Sequence, residues 1–348
     1  MNFNTSIFLL LSAICLFSNA ENCLRGKIVN PPTRVHDTPY YFPADWDESQ
    51  PAPPIDPNMD CTWSVTVPPG QYAQLEIKGA MKDTESWIQV LDAYGRIESS
   101  QLEDMVPYFF PNPKFSIYLG TEAASTFAFK ITWKFLPLDS AMAKVTNQDI
   151  IVKNTSELTV ATKFTATTKV SLVGIQSDLY VTDIMRAVLI FDGPTLNDPF
   201  LGNLAQVVIS KDQLISSGNT LTLLNVGPTD SSIDQVVIQD HSNTMGFNVY
   251  QGLACHNQRC TSQDYRLKQD ETSALISVSD IPDELIGFNL MTKGTLDVYY
   301  DIIKPENLVT TFNSTGWKQM PVTFGKSRIR QYVVHNGVQD ISIDRIPK

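Results

Sequence analysis

Glycine is scarce in this chain and wrongly spaced for phosphate chemistry. No two of the 17 glycines lie two residues apart, so there is no G-x-G phosphate loop. No two lie four apart, which removes the G-x-S-x-G nucleophile elbow. Histidine is rarer still. None of His36, His241, His256 and His335 is followed by Glu, so H-E-x-x-H is absent. Basic residues are in deficit: 26 Lys and Arg stand against 37 Asp and Glu, a formal charge of −11. A phosphate surface needs a basic footprint, which argues against a nucleic-acid partner. Beyond the leader, no apolar run approaches the ~18 residues of a membrane-spanning helix, so no membrane anchor is expected. A Ser-His-Asp triad or a carboxylate pair can be assembled from distant residues and escapes such spacing tests. With no motif to support either, no catalytic residue is assigned and a non-enzyme is expected.

What is present places the chain outside the cell. Ile7 to Phe17 is a short apolar run, followed by Ser18-Asn19-Ala20. This reads as a signal peptide over residues 1–20, although MNFNTS carries no Lys or Arg. Cys15 leaves with it. Cys23, Cys61, Cys255 and Cys260 remain, an even count in an oxidising compartment. Three pairings are open; proximity favours Cys23–Cys61 and Cys255–Cys260. Zinc at Cys255, His256 and Cys260 is the rival, weakened by the lack of a fourth ligand nearby. Asn154-Thr155-Ser156 and Asn313-Ser314-Thr315 are the N-x-[ST] sequons after the leader, and both are expected to carry glycans.

Strand patterns dominate. Thr126 to Phe135 alternates without a fault, Phe127, Phe129, Ile131, Trp133 and Phe135 sharing one face. Trp63, Val65 and Val67 do the same before a turn at Pro68-Pro69-Gly70. Ten of the 21 prolines lie between Pro31 and Pro69, making residues 30–57 an extended lead-in. Residues 136–148 read as a linker. Strands then recur about every ten residues to Gly246–Tyr250, the spacing of an all-β sandwich. The last hundred residues look similar but weaker. Gln206–Ile209 reads as a strand, Asp280–Leu285 as a helical turn. The expected units are 21–136, 147–252 and a β-rich segment 253–348.

Several ordered cues resemble a known family. Phe191-Asp192-Gly193-Pro194, Leu201-Gly202, Ser216 to Leu221 and Gly246 to Tyr250 follow one another as in a CUB domain. Cys23-Leu24-x-Gly26, Tyr40-Tyr41-x-Pro43, Cys61-x-Trp63-x-Val65-x-Val67-Pro68 and Tyr72-Ala73-x-Leu75 resemble the nematode CUB-like domain family. The resemblance covers roughly residues 22–252. It implies an all-β fold of two CUB-like antiparallel β-sandwiches in tandem, secreted and binding rather than catalysing. Members associated with defence make a defence or stress-response role the leading expectation, with contact to an extracellular protein or glycan through loops. A structural or matrix interaction protein is the alternative, and a secreted hydrolase the third reading. Many CUB domains hold Ca²⁺ near the D-G turn through an Asp six residues earlier. Here those positions are Ser86 and Arg186, neither supplying the anionic oxygens the ion needs. No metal and no cofactor are therefore expected. For ligand contact, Trp46 in the lead-in and Tyr108-Phe109 at a loop tip are the aromatic candidates. The competing reading makes each a cover for the sandwich.

Overall fold

A computed structural model describes residues 26–33, 38–99, 106–137, 140–147, 149–176, 183–227, 234–256, 258–264, 270–290, 293–336 and 339–345. The fold is all-β. The strands of the first unit are β1 (Lys27–Val29), β2 (Tyr40–Phe42), β3 (Pro54–Ile55), β4 (Met59–Thr66), β5 (Gln71–Ala80), β6 (Trp87–Leu91), β7 (Ile97–Ser99), β8 (Tyr108–Pro111), β9 (Lys114–Thr121) and β10 (Ser125–Phe135). The second has β11 (Ser140–Lys144), β12 (Ile150–Asn154), β13 (Ala161–Thr165), β14 (Val170–Ile175), β15 (Val188–Phe191), β16 (Phe200–Asn203), β17 (Leu214–Ile215), β18 (Thr220–Asn225) and β19 (Gln235–Asp240). The third has β20 (Val249–Gly252), β21 (Cys255–His256), β22 (Arg259–Asp264), β23 (Thr272–Val278), β24 (Asp283–Asn289), β25 (Thr295–Tyr300), β26 (Leu308–Asn313), β27 (Val322–Phe324), β28 (Ile329–His335) and β29 (Gln339–Arg345).

All three units share one topology. Their first sheets run β1-β4-β9-β6-β7, β11-β13-β18-β15-β16 and β20-β23-β28-β25-β26. Their second sheets run β2-β10-β5-β8, β12-β19-β14-β17 and β22-β29-β24-β27, the last with β21 added at its edge. In each unit the opening strand lies parallel to the edge of the first sheet, on β4, β13 or β23. The β-rich C-terminal segment is thus a third sandwich of the same plan. Gly246–Tyr250 does not close the second sandwich: Val249–Gly252 opens the third by pairing with Ser273–Ile276.

Each core lies between its two sheets. In the first, Trp63 packs on Phe42, Phe127 and Phe129. The expected inward face of β10 is confirmed at Phe127, Phe129, Ile131 and Trp133, while Phe135 is exposed. The Pro68-Pro69-Gly70 turn forms as read: Gln71 N–H donates to the Pro68 carbonyl, and Gly70 takes φ +75°, open to a residue without Cβ.

The units also pack face to face. Tyr72, Phe109 and Leu136 of the first meet Leu189, Phe191 and Phe200 of the second. Val173, Ile175 and Val237 of the second meet Tyr250, Ala274 and Ile276 of the third. So the second sheet of one unit lies on the first sheet of the next, and the six sheets form one stack. Middle sheets are covered on both sides. All six residues of β14 and all four of β15 are buried.

Four local expectations are corrected. Residues 204–210 form a helix, α1 (Leu204–Ser210), where a strand was expected. Asn203 Oδ1 accepts from Gln206 N–H, and the Gln206 side chain accepts from Asn203 N–H. That capping box outweighs the β-propensity of Val207-Val208-Ile209. Asp283 begins strand β24 rather than a helical turn, because its carboxylate is taken by arginines of β28 and β29 instead of a helix start. The linker contains β11, held parallel to β13. Tyr108-Phe109 is no loop tip but the buried strand β8, paired with β5.

Candidate functional site

The aromatic candidates are not exposed. Trp46 is only 5% accessible; its Nε1–H donates to the Gln50 carbonyl, and its ring meets Tyr41 edge-on. It covers the edge of the first sandwich. Tyr108 lies under the Arg186 guanidinium, 4.5 Å from ring centroid to Cζ. Phe109 belongs to the apolar joint with the second unit. All three are therefore covered by this chain itself, which corrects the expectation that they contact a ligand. Trp46 is covered from within its own unit, whereas the cover of Tyr108 and Phe109 comes from the second, which no pattern local to them encodes.

The cysteine expectation holds where it is visible. Cys255 and Cys260 form a disulfide across the β21–β22 hairpin, which replaces the zinc reading. Cys61 is buried and disulfide-bonded. Cys23 lies outside the described residues, as do residues 1–20, where a signal peptide is expected. The sequon side chains are accessible in part: Asn313 is exposed and Asn154 half-buried. Asn313 Oδ1 accepts from the N–H and hydroxyl of Thr315. Of the two calcium-corner positions, Arg186 spends its charge on the Tyr108 ring, and Ser86 donates to Asp83.

Buried carboxylates serve the fold. Burial alone would raise Asp240. Donors from Thr168 and Ser242 overcome it and hold the carboxyl at about 2. Asp283 accepts from Arg330, Arg345 and Tyr332.

Glu98 is different. It crosses the first joint, accepting from Asn203 Nδ2 at 2.8 Å and Gln206 Nε2 at 2.5 Å. Arg96 reaches the Leu201 carbonyl alongside. Burial pushes the Glu98 carboxyl up to about 7 from its ordinary 4.5, Asp92 adds to this, and Asn203, Arg186 and Arg96 oppose it. A raised acid binds its proton more tightly in the folded joint. Its contribution is therefore full below about 4.5 and lost as pH rises through about 7. Glu98→Gln is expected to flatten that part of the pH dependence. Melting temperatures of both proteins between pH 5 and pH 8 measure it; parallel curves would refute it.

A cleft with a volume of about 460 Å³ lies at the second joint. Val207, Val208 and Ile209 of α1 form one wall, and Gln251, Thr261 and Ser262 of the third unit face them. The floor is the end of β14, with Gly174 and Gln176. Ile209 is 67% exposed, whereas Gln176 is 4% exposed and its Nε2 has no hydrogen-bond partner. Gly252 lets the third unit come this close, and Gly174 makes room for Val208 and Leu204 of α1. A Cβ on Gly252 would stand 2.2 Å from the Gly174 carbonyl oxygen. No motif announces this cleft. The only sequence signal is a glycine inside each of two strands, the mark of a close backbone approach.

Comparison with known families agrees with the fold. Residues 18–137, which span the first sandwich, match the model of the CUB-like domain. Residues 143–226 match a domain of unknown function, DUF7592. Among solved structures, the CUB1-EGF-CUB2 domains of rat MASP-1 share 9% identity, covering 62% of this chain and 100% of that one, with TM-score 0.25. A periplasmic inhibitor of g-type lysozyme from Salmonella Typhimurium shares 14% identity over 31% of this chain and 99% of its own, with TM-score 0.20. The extracellular region of zebrafish Gpr126/Adgrg6 shares 8% identity over 93% of this chain and 53% of its own, with TM-score 0.24. No curated protein matches the chain. No helix among the described residues is long and apolar enough to cross a membrane.

Proposed function

We propose that this is a secreted, non-enzymatic binding protein of defence or stress response that contacts an extracellular protein or glycan. The match of residues 18–137 to the CUB-like domain carries the reading, because such domains are generally binding modules. The buried carboxylates of the second and third units, tied up by structural donors, fit the same picture. In this reading residues 1–20 are removed on secretion, Cys23 pairs with Cys61, and three sandwiches follow, formed by β1–β10, β11–β19 and β20–β29. The purified protein is expected to bind arrayed glycans or bacterial surfaces, and its transcript to rise on infection. Covalent labelling by a mechanism-based hydrolase probe, with no binding to either surface, would overturn the reading.

Secretion also implies glycosylation. Asn154 and Asn313 are expected to be occupied, since both side chains reach the surface. Amidase treatment of the secreted protein should raise its gel mobility in two steps. Unchanged mobility would contradict both sites.

A further inference from the structure

The cleft at the second joint is the site the observations carry furthest, and it deepens the binding role proposed above. Its floor is an unfinished sheet edge. β17 pairs with β14 only at Ser171 and Leu172. Val170 takes both of its main-chain bonds on that side, donating to Ser216 Oγ and accepting from Ser216 N–H. Lys169, one residue earlier, accepts from His241 N–H on the β19 side. Main-chain groups alternate along a strand, so even-numbered residues face the β17 edge. Gly174 is the even-numbered residue just past the end of that pairing. Its carbonyl is covered by Gly252, and by that alternation its N–H points to the same edge, where it has no ladder partner among the described residues. Gln176, two residues on, adds the unpartnered Nε2. The far wall repeats the theme. β21 pairs with β22 only at Arg259 and Cys260, and Thr261 and Ser262 lie beyond it.

The floor is thus rich in donors, and the α1 wall is aliphatic. The charges at the rim, Lys211 and Asp212, are of opposite sign. Among the described residues no aromatic ring lines the cleft, so the described walls offer a sugar no stacking platform. An extended main chain offers a carbonyl every second residue on one side, the repeat of Gly174 and Gln176. We propose that this cleft binds an extended, uncharged peptide segment, its carbonyls accepting from Gly174 N–H and Gln176 Nε2 and an aliphatic side chain resting on Val208 and Ile209. The partner is therefore a protein with an exposed apolar strand or tail, not a glycan.

The test pans a phage-displayed heptapeptide library against the full secreted protein. Three variants serve as comparisons: Ile209→Glu at the exposed wall, Gln176→Leu at the floor, and Met142→Glu at a distant exposed position. Enriched peptides should lack charge and share an aliphatic position. Ile209→Glu should weaken them about tenfold or more. Gln176→Leu should weaken them about tenfold, the worth of one hydrogen bond, without lowering the melting temperature, because it removes an unpaired buried donor. Met142→Glu should change nothing. No enrichment, or peptides that bind Ile209→Glu as well as the parent, overturns the proposal. Bacterial or glycan binding that survives Ile209→Glu would leave the general binding role standing while removing the cleft from it.

Discussion

Asp283→Ala should unfold the third sandwich. The Asp283 side chain is fully buried. It accepts from Arg330 Nε at 2.9 Å and Nη2 at 3.1 Å, Arg345 Nε at 3.2 Å and Tyr332 Oη at 3.0 Å. Arg330 is itself 1% exposed, and its remaining donors go to the Ser279, Ile281 and Ser327 carbonyls. Removing the carboxylate leaves a buried guanidinium without its counter-charge, a loss of about 3–5 kcal/mol. The lost charge also releases Tyr332, whose hydroxyl is pushed up first by burial and then by Asp283. Scanning calorimetry of the purified protein is the measurement. A transition at the parent temperature would show that the cluster contributes nothing net. Replacing Asp283, Arg330 and Arg345 together by apolar residues should be far milder than the single change, since no orphaned charge remains.

Trp133→Ala should destabilise the first sandwich by about 3–5 kcal/mol through lost burial and the cavity left behind. Trp133 is 2% exposed and ends the inward row of β10. Its Nε1–H donates to the Thr66 carbonyl at 2.9 Å, tying the second sheet to the first. Trp133→Phe keeps one aromatic ring but loses that bond and part of the indole's volume, an expected cost above about 1 kcal/mol and below that of the alanine change. Chemical denaturation of the three proteins is expected to rank them in that order. Secretion at normal level with an unchanged midpoint for Trp133→Ala would refute the assignment.

The first sandwich was readable because its strands keep one wet face. β4 alternates Cys61, Trp63 and Val65 with Thr62, Ser64 and Thr66, and its burial follows suit. Deeper in the stack the rule fails for a physical reason. Val170 to Ile175 is buried on both faces, so nothing selects polar residues at alternate positions. The same burial from above hid Phe109, whose cover of Leu189 and Phe191 belongs to the next unit. The third sandwich repeats a topology with different residues: Met59–Thr66, Ala161–Thr165 and Thr272–Val278 occupy one position in three units yet share no wording. Helix α1 carried its own signal in Asn203-x-x-Gln206, which the β-branched run after it masked. The joint cleft draws on β14, α1, β20 and β22, and no local pattern encodes that meeting.

The six-layer stack also fixes the order in which the molecule comes apart. Its two ends are polar: Thr62, Ser64 and Thr66 on the first sheet, Glu284, Ser342 and Asp344 on the last. The middle unit shows water neither of its broad faces, since Leu189 and Phe191 are covered on one side and Val173 and Ile175 on the other. Such an array behaves as a short one-dimensional chain, each unit stabilised by its neighbours. Amide exchange is therefore expected to begin in the outer sheets and reach β14 and β15 last. Expressed alone, the middle unit would expose both of those apolar faces, and the same residues that make it the slowest to open would make it the quickest to aggregate.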